Sequence, residues 1–186
     1  GALFMTLKPF LALTGTVALL AGTAACTTMS DGNEMVGETL GVANLMLANG
    51  ASAGTATLMR DGDDFAVAIR GMGLQPGAKG FHLHTTGRCE APDFTSAGGH
   101  LNPGNRSHGR LDPQGPHLGD MTNLQVGADG MVTATVEVPD VRNDTLAQIF
   151  DADGTAVMIH SGPDDYRTDP SGDAGSREAC GVLVRS

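Results

Sequence analysis

The chain has no tryptophan and one tyrosine, Tyr166, so six phenylalanines supply the rest of its aromatic bulk. It carries less Leu, Glu, Lys and Gln than a helical bundle wants. Basic residues are scarce: 11 Lys and Arg stand against 21 Asp and Glu, for a net charge of −10. A nucleic-acid partner needs a basic face, so that class is excluded. The acidic groups are spread along the chain and read as a solubility device. No repeat is evident, and the longest apolar run is too short to cross a membrane. Cysteine occurs three times, at Cys26, Cys89 and Cys180.

The 186 residues suit one domain preceded by a targeting segment. Met5–Lys8 form a short positive start, the apolar run from Pro9 to Leu20 follows, and Ala21–Ala25 are small. That order is the layout of a secretory signal, read here as residues 1–25, with Gly1–Phe4 ahead of the start. Cys26 then stands where bacterial lipoproteins carry their lipid acceptor, although Thr23 occupies the position where those signals usually have Leu. Two outcomes stay open: lipidation of Cys26, which would attach the protein to a membrane, or ordinary cleavage after Ala25. Either one exports the protein to the periplasm. Residues 26–37 read as a polar tether and residues 38–186 as the folded domain.

Twenty-seven glycines beside β-branched runs imply many strands and turns. Glu38–Ala48, Gly54–Arg60 and Phe65–Arg70 alternate in places and are separated by Asn-Gly and Asp-Gly turn signals. Phe81–Thr86, Met131–Val138, Gln148–Phe150, Ala156–His160 and Gly181–Val184 read as further strands. Between them lie two long irregular stretches, Gly87–Asp120 and Ser161–Glu178. Irregular segments of that length inside a compact domain are usually functional or disordered. The first holds Cys89, His100, His108 and His117, which favours function. The expected fold is all-β: a barrel or sandwich with two long loops.

All six histidines fall between Phe81 and His160. His82 and His84 are two apart in Gly-Phe-His-Leu-His, which on a strand puts both rings on one face. His100 lies in Gly-Gly-His-Leu-Asn-Pro, His108 follows, His117 and Asp120 lie in His-Leu-Gly-Asp, and His160 ends a strand. One histidine alone is commonly a surface or core residue. Six gathered at strand ends and in loops point to a metal site; imidazole suits zinc and copper, and a carboxylate beside imidazoles suits zinc better than copper(I).

These motifs, with Met-Ile-His and Gly-Ser-Arg-Glu-Ala-Cys-Gly-Val in this order, resemble the copper/zinc superoxide dismutases from about Glu38 to the C-terminus. The resemblance implies an eight-stranded Greek-key β-barrel and an oxidoreductase that converts superoxide to oxygen and hydrogen peroxide. It implies that His82, His84, His100 and His160 hold copper and that His100, His108, His117 and Asp120 hold zinc. His100 would bridge the two ions and take up the proton that helps form peroxide. Asp164 would link a copper ligand to a zinc ligand, and Arg177 would guide the anion. Dismutation needs a metal with two accessible oxidation states, so copper reacts, while zinc is structural and electrostatic.

Cys89 and Cys180, an even pair in an exported chain, read as a disulfide, and the family pairs the corresponding residues. The family contains monomers and homodimers alike. A competing reading is a non-enzymatic copper/zinc-binding lipoprotein on the same scaffold. It is disfavoured because a zinc store needs neither His160 nor Arg177.

Overall fold

A computed structural model describes residues 1–2, 37–139 and 141–186. The signal segment after residue 2, Cys26 and the tether up to residue 36 lie outside the described residues. Strands β1 (Glu38–Leu47), β2 (Ser52–Asp61) and β3 (Asp64–Gly71) form an antiparallel meander that turns at Asn49-Gly50 and Gly62-Asp63. The remaining strands are β4 (Gly77–Lys79), β5 (Phe81–His84), β6 (Leu124–Val126), β7 (Val132–Glu137), β8 (Ala156–His160), β9 (Arg177–Val182) and β10 (Val184–Arg185).

The principal sheet has eight strands in the order β5-β8-β9-β1-β2-β3-β7, with β10 also against β1. Its edges are β5 and β7. β4 runs into β5 through Gly80, β6 runs into β7 through a short turn, and β4 pairs with β6. That small ladder joins the two edges, so the sheet curls into a barrel and both edges are covered. Placing β5 beside β8 and β9 beside β1 takes the long connections of a Greek key. The expected all-β Greek-key barrel is what the chain forms.

Two sequence expectations change. Gln148–Phe150 is not a strand; it lies at the end of a short helix, α1 (Thr145–Ile149). Leu146, Ile149 and Phe150 are three and four residues apart, and all pack against the main core. Three residues were too few to tell that period from a strand's. The strand expected at Gly181–Val184 starts earlier, as β9 at Arg177, because His160 continues the β8–β9 ladder opposite Arg177 after a register shift, and Val184 belongs to a separate β10. β4 and β6 were not anticipated, since three-residue strands show no periodicity.

Alternation decides where the chemistry goes. Phe81, Leu83, Val157 and Ile159 point into the barrel and join the main core. The intervening residues, His82, His84, Ala156, Met158 and His160, therefore point outward. They are nonetheless buried, because the two long loops fold back over this face. Phe94 and Ala97 of the first loop pack there on Ala156, Met158 and Cys180, forming a second apolar cluster with Cys89 at its edge. Burying a side chain the size of Phe or Met is worth about 1.5–3 kcal/mol. The loop is thus held by its own small core as well as by polar bonds. The disulfide Cys89–Cys180, with Cα atoms 5.6 Å apart, fastens the same loop to β9.

Candidate metal centre

Two groups of side chains converge beneath the loops. His82, His84, His100 and His160 offer ligand atoms within 4.8 Å of one another, and so do His100, His108, His117 and Asp120. All seven residues are buried. His82 and His84 come from β5 and His160 from the neighbouring β8, so the barrel itself sets three rings of the first group. The first loop is laid against β5 by isolated bridges that pair His82 with Asp120 and His84 with His100.

The hydrogen bonds identify which ring nitrogen faces each group. His82 Nε2 donates to Asp164 Oδ2 at 2.7 Å and His84 Nδ1 to the Gly98 carbonyl at 2.9 Å. His160 Nδ1 donates to the Gly175 carbonyl at 3.3 Å. Those acceptors carry no proton to give, so each nitrogen named must carry the ring's N–H, and the opposite nitrogen keeps its lone pair. The opposite nitrogens are His82 Nδ1, His84 Nε2 and His160 Nε2. With His100 Nε2 they are buried and have no hydrogen-bond partner. Four converging, unpartnered imidazole nitrogens would be costly in a site built to stay empty of metal. The donor set fits a copper ion.

In the second group the ring nitrogens gather round one carboxylate. Asp120 Oδ1 lies 2.8 Å from His100 Nδ1 and 3.1 Å from His117 Nδ1, and Oδ2 lies 3.2 Å from His108 Nδ1. Asp120 is itself fixed by the backbone N–H groups of Gly109 and His117. Three imidazoles and a carboxylate are a donor set that would suit zinc. His100 thus presents Nε2 to one group and Nδ1 to the other. The far nitrogens of the other two rings are tied back: His117 Nε2 to the Arg106 carbonyl at 3.0 Å, and His108 Nε2 to Asp164 Oδ1 at 3.0 Å. Asp164 therefore spans the groups, one oxygen on His82 and one on His108.

Burial is the largest influence on the proton affinity of His84, His100 and His160. It pushes His84 well below its usual value, His100 down to about 4 and His160 down to about 3, helped by neighbouring histidines. These rings are neutral at physiological pH, the form that binds metal. Burial also acts on His108, but the Asp120 and Asp164 carboxylates outweigh it and raise the ring to about 9. Hydrogen bonds from histidines hold Asp120 and Asp164 far below the usual carboxylate range despite burial.

Arg177 stands opposite His160 in the β8–β9 ladder. Its guanidinium donates to the Phe94 carbonyl at 2.5 Å and to the Gly98 carbonyl at 2.6 Å. Gly98 O is the oxygen that also holds His84, so one carbonyl locates both the arginine and a ring of the first group. Burial lowers the guanidinium's pKa, while Asp93 opposes that effect.

A matching family model, copper/zinc superoxide dismutase, covers residues 52–183. The chain belongs to the copper/zinc superoxide dismutase family. It is 41% identical over 144 residues to a copper/zinc superoxide dismutase of Aquifex aeolicus, covering 76% of this chain and 85% of that one. It is 45% identical over 127 residues to a superoxide dismutase-like protein of Bacillus subtilis, covering 67% and 65% of the two chains. A crystal structure of a superoxide dismutase-like protein from Bacillus subtilis, as a variant with two histidines introduced, aligns with TM-score 0.73 at 40% identity over 79% of this chain and 99% of that one. The copper/zinc superoxide dismutase of Brucella abortus aligns with TM-score 0.64 at 32% identity, covering 77% and 98%. The family's activity, dismutation of superoxide, and its metals, copper and zinc, are this chain's as well.

Three contributors escaped the sequence reading. Gly98 acts through its carbonyl, and no side-chain motif announces that. Asn123 grips the Asp164 backbone with both ends of its amide, donating to the carbonyl at 2.8 Å and accepting from the N–H at 2.9 Å. Gly172, at φ +67, leaves room that a Cβ would take: it would collide with Asp164 Oδ1 and lie 2.7 Å from His108 Nε2. A glycine among the many of the second loop gave no such hint.

Proposed function

We propose that His82, His84, His100 and His160 hold copper, and that His100, His108, His117 and Asp120 hold zinc, in a superoxide dismutase exported to the periplasm. The single observation that carries this reading is the convergence of four buried, unpartnered imidazole nitrogens on one point, one of them on a ring whose other nitrogen belongs to the second group. Copper, when bound, supplies the one-electron chemistry by which two superoxide anions and two protons become one dioxygen and one hydrogen peroxide.

The residues do the rest. Arg177 keeps a cation beside the site, with two of its five N–H donors spent on carbonyls and the others available to an anion. His100 Nε2 is the position at which a proton can be held next to substrate. With no partner in the protein, that nitrogen could take up a proton and pass it to a forming peroxide. Asp164 keeps His82 and His108 in the tautomers their groups require, the usual task of a carboxylate behind ligating histidines.

The signal segment, and Cys26 as a lipid acceptor, complete the reading from sequence alone. The competing metal-store reading is not favoured: it leaves His160 and Arg177 without a purpose. Metal content and superoxide consumption, measured on protein purified from the exporting cell, test the proposal. About one copper and one zinc per chain with copper-dependent turnover is the expected result; full zinc with no copper uptake would overturn it.

A further inference from the structure

Lys79 is the one buried lysine among the described residues, with 3% of its surface exposed. A buried ammonium is costly unless paired and hydrogen-bonded. Its Nζ donates to the Ser161 carbonyl at 2.6 Å and faces Glu178 Oε2 at 3.2 Å as an ion pair, with both side chains largely shielded from solvent. The other Glu178 oxygen accepts from the Gln75 backbone N–H at 2.5 Å.

The two partners are significant by position. Ser161 directly follows His160, and Glu178 directly follows Arg177. They flank the second loop at its two ends. Ser161 is also laced to the far end of that loop: its N–H donates to the Ser176 carbonyl at 2.7 Å, and its Oγ accepts from the Ser176 N–H at 3.0 Å. One ammonium therefore draws together the feet of the loop that contains Asp164, Gly172 and the Gly175 carbonyl that holds His160. Lys79 is itself three residues before His82, and the adjoining Gly80 exchanges backbone bonds with His160 and Gly162 at 2.9 and 2.8 Å.

We propose that Lys79 is a positioning residue: its ammonium closes the base of the 161–176 loop and so sets where Arg177 stands relative to His160 and the copper group. The inference rests on the roles given above to His160 and Arg177. Lys79 touches neither substrate nor metal.

The test uses the full exported protein and azide as an anionic probe of the copper site. Lys79→Met keeps the stem and removes the charge. It should bind both metals, yet lose about tenfold in azide affinity and in superoxide rate, short of the ~100-fold that a 1 Å misplacement can cost. In the metal-free protein, amide exchange at Ser161 and Ser176 should speed up by about tenfold. In an Arg177→Ala background Lys79→Met should have little further effect on azide affinity, because its action passes through the arginine. Should Lys79→Met fail to fold, Glu178→Gln takes its place: it removes the carboxylate charge that faces the ammonium, keeps an oxygen for the bond to Gln75, and should lower azide affinity about threefold. Unchanged azide affinity in a folded variant, or a full additional loss in the Arg177→Ala background, overturns the role of Lys79 alone. If Arg177→Ala itself leaves azide affinity unchanged, the reading of Arg177 falls first and this inference falls with it.

Discussion

The two metal groups share His100 but are built in different ways. Three residues of the first come from β5 and β8, where ladder hydrogen bonds fix the backbone and alternation aims the rings. All four of the second come from the irregular first loop. The first holds only imidazoles, of which burial keeps His84, His100 and His160 neutral, whereas the second is organised round the buried Asp120 carboxylate. Strand-borne ligands are placed by the fold before any metal arrives. The loop-borne residues are placed by hydrogen bonds and the disulfide, so the second group should depend more on a bound metal and the first should depend more on the barrel.

The largest effects come from removing one ligand from each side. His160→Ala should lower superoxide turnover by more than about 100-fold and weaken copper while zinc stays bound, because His160 belongs to one group only. Asp120→Ala should do the reverse first, releasing zinc and lowering the melting temperature. Metal analysis with activity on each variant separates these outcomes, and a His160→Ala protein that keeps most of its activity would falsify the copper assignment.

Next in size is the disulfide. Cys89 and Cys180 are 91 residues apart, a loop whose closure is worth about 4 kcal/mol in the chain-entropy model. Replacing both by Ala should destabilise the protein by up to that amount and should loosen zinc before copper, since the bond anchors the loop that carries the second group. Thermal melts with sequential chelation would read both. Equal loss of the two metals would show that the groups are not separately supported.

Acid and base should also tell the groups apart in the metal-free protein. Folded His100 and His160 titrate near 4 and near 3, against 6.5 when unfolded. Below pH 6.5 the unfolded chain binds protons first, so stability is complete above 6.5 and lost as pH falls toward 4. The loss is about 2 kcal/mol for each ring by pH 5. His108 has the opposite sign: raised to about 9, it stabilises below 6.5 and that contribution fades as pH rises through 9. Metal-free protein should therefore be most stable near pH 6.5, by chemical denaturation across pH. Saturating copper and zinc should flatten the curve over neutral pH, because ligands bound to metal no longer titrate there. A monotonic rise from pH 6 to 9 without metal would contradict the assignment of His108.

Much of this was legible beforehand because histidine spacing and strand alternation are local signals. Gly-Phe-His-Leu-His predicts two rings on one face of a strand, and β5 delivers them. The loop-borne half could be read only through the family resemblance, since nothing in the spacing of His100, His108, His117 and Asp120 makes them converge. What stayed hidden is what acts through backbone or through distant partners: the Gly98 carbonyl, the Asn123 clamp, the clearance at Gly172 and the burial of Lys79. Each depends on contacts between segments about 40 to 100 residues apart or on a main-chain atom, and no periodicity records those.

The smallest effect expected concerns how an acidic protein attracts an anion. Net charge sets the far field, yet a cleft with local positive charge can focus field lines and raise association rates by roughly 10- to 1,000-fold, superoxide dismutases being a standard example of such steering. Arg177 lies beside the first group and is tied to it through the Gly98 carbonyl, so its charge is held in one place by two hydrogen bonds. Arg177→Ala should lower the bimolecular rate about tenfold without removing either metal, and Arg177→Glu should lower it further. Added salt should slow the wild type, since screening shortens the attraction to about 10 Å at 0.1 M. It should slow Arg177→Ala less, and should speed Arg177→Glu by screening a repulsion. Pulse radiolysis across ionic strength reads all three slopes. This also sharpens the comparison of the two groups: guidance belongs to the strand-borne side, so loosening zinc through Asp120 should leave the salt slope of any residual activity unchanged. A slope that vanished with zinc would mean that the second ion, and not Arg177, supplies the attraction.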